Sequence, residues 1–575
     1  MHSDLKSQPV TQLTYPHRQQ AFWPKIRAWL GRLPVLLLTI ILLFPIGVLA
    51  VELFTLDIAL WQRMWGTILP RVLWNTLRLV VGVSLGTLVV GVGCAWLVTA
   101  YEFPGRRWFE RLLMLPLAIP GFIMGFVYVA MFEFAGPVQT ALREQFDWSR
   151  NDYWFPNIAS PGGLILVLTL VLYPYVYILA RSAFREQAAN TLEAANVLGY
   201  EGWQAFRRVA LPLARPQIAV GVLLVTMESL TDYGTVSYFS YPTLSERIVV
   251  LWNTSFDVAA ATELASLMVI IALILLFGEQ VLRRQARFYQ QGSYGRRMAR
   301  KQLVGARGWL TTFGCFVVLG AAFILPMTQL TIWSIRRIQE PTITVLSEPF
   351  LEYTRNTLLL GLIGAVTTVV IALFIAYSNR RDSIETTNYP RWLSRLMTIG
   401  YAMPGAVIAV GVLTVVNPID GAVTDFATVN LGYTGFGYLL TGTVIALVYG
   451  YAVRFMALAF NSISASVDKV KPTMESAART LGAGSGRIFR RIHIPLVRTG
   501  IGAGAILVFV DTMKELPITM LLRPFGVDTL AVRTHLLSVE GFHESAAIPS
   551  LMILVAGLLP VFLLMQIGAN EDQIQ

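Results

Sequence analysis

The most informative shortage in this 575-residue sequence is charge. Asp, Glu, Lys and Arg supply only 14% of the residues, whereas hydrophobic residues supply 55%. A soluble protein of this size needs more charged surface than that. The composition therefore excludes an ordinary globular protein and predicts an integral membrane protein. The net charge of +11 follows the pattern of membrane orientation described below, so we expect no nucleic-acid partner.

Chemically reactive residues are also scarce. The two cysteines, Cys94 and Cys315, fall in apolar runs and are predicted to be packing residues rather than disulfide partners. The five histidines are scattered, and the sequence contains neither a G-x-x-x-x-G-K-[ST] phosphate loop nor an H-E-x-x-H pair. We therefore expect this chain to be no enzyme and to carry no cofactor of its own.

Long apolar runs are what the sequence has in abundance. A helix needs about 20 apolar residues to cross the hydrocarbon layer, and twelve runs meet this requirement. The predicted fold is thus all-α, a polytopic membrane protein of about 12 transmembrane helices. The predicted spans are 33–52, 73–99, 112–132, 162–180, 216–239, 261–282, 309–333, 356–377, 396–416, 436–453, 499–522 and 546–567.

Lys and Arg are distributed unequally between alternate loops. With the N-terminus inside, 33 of the 45 basic residues fall on the inner side, including those at 283–307 and 454–498. Inner loops of membrane proteins carry an excess of Lys and Arg. This bias predicts a cytoplasmic N-terminus and an uncleaved first helix.

A polar segment occurs twice between these apolar runs. It reads LEAANVLGYEGWQAFRRVALPL at 192–213 and ESAARTLGAGSGRIFRRIHIPL at 475–496, with thirteen residues from Gly to Pro in both copies. The repeat extends further, since 75–77 matches 356–358 and Ala118–Gly121 matches Ala402–Gly405. An even number of spans in each half predicts two parallel six-helix repeats around a central pathway.

The repeat also predicts where the chain divides. The basic segment between the halves should be a solvated cytoplasmic linker that touches anionic lipid. The predicted parts are a cytoplasmic N-terminal extension at 1–32, a first half at 33–282, the linker at 283–308, a second half at 309–567 and a C-terminal tail at 568–575.

Each copy of the polar segment has the pattern of a short helix outside the bilayer. We predict helices over Thr191–Gln204 and Thr473–Arg487. Each helix would present a small apolar face to a soluble partner. The predicted faces are Ala194, Ala195 and Leu198 in the first copy and Ala477, Ala478 and Leu481 in the second.

The pattern E-A-A, then Gly, then a late L-P or I-P, resembles the coupling loop of binding-protein-dependent ABC importer permeases. The resemblance implies the type I importer fold, two copies of a cytoplasmic ABC ATPase that carry ATP and Mg, an external solute-binding protein and a bacterial plasma membrane, the inner membrane in a Gram-negative cell. In the second copy Ser476 stands at the register of Glu193, and Glu475 lies one place earlier. The implied ATPase-coupling residues are Glu193, Ala194, Ala195, Gly199, Arg207, Arg208, Pro212, Glu475, Ala477, Ala478, Gly482, Arg490, Arg491 and Pro495.

Acidic residues follow each coupling segment inside an apolar span. Glu228 and Asp232 are four residues apart, and the 283-residue offset places Asp511 and Glu515 at equivalent positions. Exposing all four to lipid would cost about 10 kcal/mol, so they should face protein, water or substrate. We predict that they line a translocation pathway with Tyr233. The alternative is a gating or packing role, with Lys514 pairing a carboxylate.

The wording around these acids, LTDYGTVSYF at 230–239 and TMKELPITMLLRPFGVDTLAVR at 512–533, resembles permeases of ferric iron importers. Fe3+ prefers oxygen ligands. The resemblance implies Fe3+ as the transported solute. The candidate oxygen ligands are Glu228, Asp232, Asp511 and Glu515, with Tyr233 or Tyr238 as a further donor. The same machinery importing thiamine, a phosphonate or a polyamine is an alternative. A secondary transporter driven by an ion gradient is an alternative of another class.

Overall fold

The computed structural model describes residues 33–54, 57–186, 200, 202–290, 300–340, 348–384, 396–432 and 438–574. Twelve helical segments, some of which join two of the helices below, are long and apolar enough to cross a membrane, and the predicted all-α class is confirmed. The helices of the first half are α1 (Leu33–Glu52), α2 (Ile58–Thr67), α3 (Leu69–Ala100), α4 (Arg106–Leu112), α5 (Gly121–Phe132), α6 (Pro137–Phe146), α7 (Pro161–Glu186), α8 (Trp203–Ala205), α9 (Leu211–Thr231), α10 (Gly234–Tyr238), α11 (Leu244–Asn253) and α12 (Val258–Gln290).

The described elements of the second half follow a similar, though not identical, order. Its helices are α13 (Ala306–Leu319), α14 (Leu325–Gln339), α15 (Glu348–Ile384), α16 (Gly405–Leu431), α17 (Val444–Val467), α18 (Pro472–Thr480), α19 (Ser485–Ile488), α20 (Ile494–Lys514), α21 (Pro517–Leu522), α22 (Leu530–Val539) and α23 (His543–Ile574). Short 3-10 turns occur at Leu115–Ala118 and Ile399–Ala402, and π turns occur at Phe206–Ala210, Gly320–Ile324 and Phe489–His493.

The first span of each half packs against the other half. On α1, the Pro45 carbonyl oxygen lies so close to Gly411 of α16 that a Cβ there would be 2.6 Å away. In the opposite direction, Tyr128 of α5 donates a hydrogen bond at 2.6 Å to the carbonyl oxygen of Ala321, in the π turn between α13 and α14. The two halves are therefore interlocked rather than merely adjacent.

The repeated Asn-Thr pair anchors the short helix that precedes the last span of each half. In the first half, Asn75 Nδ2 donates to the Pro242 carbonyl at 3.0 Å. The neighbouring Thr76 Oγ1 accepts from the backbone N–H of Leu244, the first residue of α11, at 3.0 Å. A helix N-terminus has backbone donors without partners inside the helix, and Thr76 satisfies one of them.

The second half repeats these bonds at the start of α22. Asn356 Nδ2 donates to the Asp528 carbonyl at 3.2 Å, and Thr357 Oγ1 accepts from Leu530 N at 2.8 Å. The sequence repeat at 75–77 and 356–358 thus marks a repeated helix anchor.

Four predicted spans are wrong in one respect, because each contains a break. The spans at 112–132 and 396–416 break at Pro120 and Pro404, which have extended ψ angles of 143° and 141° before α5 and α16 begin. The spans at 216–239 and 499–522 break around Asp232 and Glu515, between α9 and α10 and between α20 and α21. Hydrophobicity alone does not reveal such breaks, since the flanking residues stay apolar.

The end of the inter-half linker contacts the first half. Residues Lys301–Gln302 form a two-residue parallel β-ladder, β2, with Tyr101–Glu102, β1. Leu303 N donates to the Glu102 carbonyl at 2.9 Å. These bonds attach the linker end to the first half. The linker residues 291–299 lie outside the described part of the chain.

Candidate functional site

Three of the four helix breaks, those at Pro120, Asp232 and Glu515, line a cavity of about 200 Å³ between the two halves. All five residues predicted to line the pathway contribute to its wall, together with one arginine and one lysine. The charged and tyrosyl lining residues are Tyr175, Glu228, Asp232, Tyr233, Tyr401, Arg454, Asp511, Lys514 and Glu515. Tyr238 is absent from the lining of this cavity and packs near Phe126 instead, with ring centroids 6.4 Å apart.

Asp232 holds the break between α9 and α10. Its Oδ1 accepts from the backbone N–H groups of Thr235 and Val236 at 2.9 and 3.2 Å, and its Oδ2 accepts from Thr235 Oγ1 at 2.7 Å. A Cβ on Gly121 would lie 2.7 Å from Asp232 Oδ2. The carboxylate therefore caps the short helix and packs directly against the Pro-Gly break of α5.

Glu515 does the same in the second half. Its Oε1 accepts from Ile518 N at 3.2 Å, and a Cβ on Gly405 would lie 2.4 Å from that oxygen. The repeated Pro-Gly and acidic motifs thus pack against each other in both halves. Asp232 and Glu515 therefore line the cavity and also cap a short helix. The predicted position and the alternative packing role apply to the same two residues.

Arg454 is the main cation of the cavity. Its Nε lies 3.2 Å from Glu515 Oε2, and its Nη1 donates to the Met403 carbonyl at 2.8 Å. The side chains of Arg454 and Glu515 are only 13% and 7% exposed. Arg454 also interacts electrostatically with Glu228 and Asp511, so it joins carboxylates of both halves.

Glu228 and Asp511 are the two cavity carboxylates that do not cap a helix. They are equivalent under the 283-residue offset. Asp511 Oδ1 lies 3.4 Å from Lys514 Nζ, as the pairing alternative predicted. Glu228 is half-buried and interacts with Arg454 and Asp511 through charge. These two carboxylates are the ones best placed to meet a solute.

The four candidate ligands share a cavity without forming a preformed metal site. Within the described residues, no group of three or more His, Cys, Asp or Glu side chains is arranged to hold a metal ion. Tyr233, which is 6% exposed, directs its hydroxyl across the halves to Met520 Sδ at 3.6 Å.

Sequence reasoning missed Arg454 because the predicted span ended at 453. The structure continues α17 through Val467, so Arg454 lies within the helix and not on the cytoplasmic loop where it was counted. A single arginine in the run VIALVYGYAVRFMALAF was the available signal. Charged residues inside membrane helices are expensive and usually functional.

The second copy of the coupling segment forms a helix that is shorter than predicted. α18 ends at Thr480, and Gly482 adopts a left-handed φ of 80°. Glycine at this position ends helices because it has no Cβ to oppose that conformation. The predicted helix over Thr473–Arg487 is therefore broken near Gly482, and α19 begins at Ser485.

The residues of α18, and Leu481 directly after it, divide into exposed and buried groups. Met474 and Leu481 are 44% and 86% exposed, Ala477 is exposed and Ala478 is half-buried. Glu475 is 4% exposed and points into the protein. An apolar face is thus available for a partner, whereas the Glu475 carboxylate is not.

The remaining coupling residues lie where each segment returns to the membrane. Arg207, Arg208, Arg490 and Arg491 are exposed on two π turns, and Pro212 and Pro495 stand in the first turns of α9 and α20. The two π turns occupy equivalent positions. Glu193, Ala194, Ala195, Gly199 and most of the predicted helix over Thr191–Gln204 lie outside the described residues.

Comparison with known proteins shows which proteins the chain resembles. The family described as "Binding-protein-dependent transport system inner membrane component" matches residues 87–284. The chain is 27% identical over 503 residues to the Fe(3+)-transport system permease protein FbpB 2 of Haemophilus influenzae, covering 86% of this chain and 90% of that protein. Over most of its length the chain therefore resembles the ABC importer permeases.

Other relatives match either most of this chain or about half of it. A probable ABC transporter permease protein, y4fN of Sinorhizobium fredii, is 24% identical over 535 residues, which cover 86% of this chain and 88% of that protein. The sulfate transport system permease protein CysW of Escherichia coli is 28% identical over 285 residues, 48% of this chain and 92% of its own length. Permease components are not enzymes, and ATP hydrolysis is expected on partner subunits.

Proposed function

We propose that this permease imports ferric iron, delivered by an external binding protein and driven by two copies of a cytoplasmic ATPase. The observation that carries the choice of solute is the charge of the cavity. Four carboxylates face two cations there, and both cations are paired with a carboxylate. Two more negative than positive side chains favour a cationic solute over an anion.

The comparisons support the same choice through chain architecture. The relative named for Fe(3+) transport matches both halves of the permease, whereas the relative named for sulfate transport matches about half of it. An oxyanion pathway would require the guanidinium of Arg454 to be free for the solute. Its Nε instead faces Glu515.

The proposed orientation places the N-terminus and both coupling segments in the cytoplasm of a bacterial cell. With Arg454 assigned to a span, 32 of the 45 basic residues remain on the inner side, which keeps the positive-inside bias. The exposed face of Met474, Ala477 and Leu481 then lies where an ATPase can bind it. One ATPase copy would contact each half, with ATP and Mg held by that partner.

The test uses the complex of permease, ATPase and binding protein in lipid vesicles. Ferric-loaded binding protein is expected to stimulate ATP hydrolysis and to deliver radioactive iron into the vesicles. Stimulation by a thiamine-loaded or sulfate-loaded protein, with none by the ferric form, would reject iron. Transport that follows a proton gradient and ignores ATP would reject the ABC assignment as well.

A cavity variant tests the role of charge. Glu228→Gln keeps the shape of the side chain and removes one negative charge from the pathway. We expect slower iron uptake in the variant, because a cation meets weaker attraction at the cavity. The matched control is Glu340→Gln, at the end of α14 and 43% exposed. Equal uptake by Glu228→Gln and the control would remove Glu228 from the pathway.

A further inference from the structure

A buried ion pair attaches the second coupling helix to its own half of the permease. Arg380, near the end of α15, places Nε 3.1 Å from Glu475 Oε1 on α18. The same guanidinium donates through Nη2 to the Val470 carbonyl at 2.5 Å. The side chains of Arg380 and Glu475 are 12% and 5% exposed. One arginine thus binds both a side chain of α18 and the backbone that leads into it.

A histidine adds a third element to this contact. His493, the last residue of the π turn 489–493, is 3% exposed and places Nε2 3.4 Å from the same Glu475 Oε1. Tyr377 of α15 packs edge-on against the His493 ring, with centroids 5.2 Å apart, and lies 4.6 Å from Phe489. The end of α15, the coupling helix and the start of the eleventh span therefore meet at one carboxylate.

The eleventh span connects this cluster to the cavity. α20 continues directly from the π turn and runs from Ile494 to Lys514. Asp511 lies in its last turn, and Glu515 follows its end. Single π turns inside helices occur frequently at functional sites. A shift of α18 can thus reach the cavity along a single helix.

The first half does not carry the same residues. The 283-residue offset places Ala210 at the position of His493, and the 281-residue offset of the Asn75 and Asn356 pair places Thr99 at the position of Arg380. Alanine has no imidazole to contact a carboxylate, and threonine has no positive charge. The cluster is therefore a property of the second half at these positions.

We propose that Arg380 is a positioning residue that latches α18 to α15 and α20, so that movement of an ATPase on α18 is transmitted to the cavity. The latch rests on the proposed coupling function of α18. It also assigns Glu475 to an internal contact, which leaves the exposed Met474 and Leu481 to meet the ATPase. Removing the latch should uncouple ATP hydrolysis from iron transport without preventing the ATPase from binding the permease.

The first experiment measures iron transported per ATP hydrolysed by the complete complex. Arg380→Gln is expected to lower this ratio about tenfold, a usual size for coupling between sites, while the ATPase still copurifies with the permease. Arg380→Lys should recover part of the ratio, because lysine keeps the charge but not the two-sided geometry of the guanidinium. Lys469→Gln, an exposed cation near the cluster, is the matched control and should behave as the wild type.

The outcomes separate the latch from simpler roles. An unchanged ratio in Arg380→Gln overturns the latch. Lower assembly with a normal ratio in the complex that does form also overturns it, since this is what a residue needed only for folding would show. Failure of the wild-type complex to couple ATP to transport would instead count against the proposed function.

A second experiment tests the latch without any partner. Spin labels at Ala465→Cys and Ser476→Cys, both exposed positions on α17 and α18, report the separation of these helices in the permease alone in nanodiscs. The native cysteines are buried. We expect a narrow distance distribution that broadens in Arg380→Gln. An equally broad distribution in both proteins overturns the latch.

Discussion

Removing Arg454 should expose how strongly the cavity depends on one cation. In Arg454→Met the side chain keeps much of its length but loses its charge, so Glu515 loses the partner 3.2 Å away. The Met403 carbonyl also loses the hydrogen bond donated at 2.8 Å. Breaking a buried ion pair by removing one partner costs about 3–5 kcal/mol. Because Glu515 retains its bond from Ile518 N, we expect a loss of about 3 kcal/mol.

The assay is unfolding by SDS titration in mixed micelles, applied as a double-mutant cycle. The second variant is Glu515→Gln, and the double variant removes both charges of the pair. Replacing a whole buried pair by uncharged residues is often close to neutral. The double variant should therefore lose less stability than Arg454→Met alone, with a coupling energy of about 2 kcal/mol.

Two results would refute this reasoning. One is a loss below about 0.5 kcal/mol in Arg454→Met, which is typical of surface substitutions. The other is additivity of the two single variants, which would mean that the residues do not sense each other. The control is Arg498→Met, because Arg498 is an exposed arginine at the start of α20. It should be neutral in the same assay.

Two further substitutions test the packing around the site. Gly405→Ala would place a Cβ 2.4 Å from Glu515 Oε1 and should cost about 1–3 kcal/mol through overpacking, whereas Gly421→Ala in the same helix meets no atom within 4 Å. An equal effect of both in SDS titration would contradict this. Thr357→Val removes the acceptor for Leu530 N at 2.8 Å and should cost about 1–3 kcal/mol, measured as faster amide exchange at α22; unchanged exchange would show that the anchor is dispensable.

The sequence repeat marked residues that pack together at the cavity, because both halves need the same contacts there. The Pro-Gly pairs and the acidic residues were visible as matched positions, and the structure packs them together, with Gly121 against Asp232 and Gly405 against Glu515. The number of spans could be predicted from the apolar runs, because a helix that crosses the hydrocarbon layer needs about 20 apolar residues.

The breaks within spans and the role of each acid could not be predicted in this way. A helix cap depends on which backbone N–H groups a carboxylate reaches, and Asp232 and Glu228 look alike until that geometry is known. The buried position of Glu475 was hidden for a similar reason. Its partners, Arg380 and His493, lie 95 and 18 residues away in the chain, and no local pattern connects them.

What the repeat could not reveal is where the two halves differ. Glu228 and Asp511 are equivalent, but the 283-residue offset places Val171 at the position of Arg454, and Val171 lines the same cavity.

Arg454 of the cavity and Arg380 of the coupling cluster therefore both belong to the second half. Charge in a low-dielectric site acts over longer distances than packing does. One arginine without a counterpart in the first half is thus enough to make the charge of the cavity unequal between the two halves. An importer moves its solute in one direction along the membrane normal, which equivalent halves around that axis allow. Transport in that direction does not require equal contributions from the two halves. The second half supplies Arg454 to the cavity and also contains the proposed latch between Arg380 and Glu475.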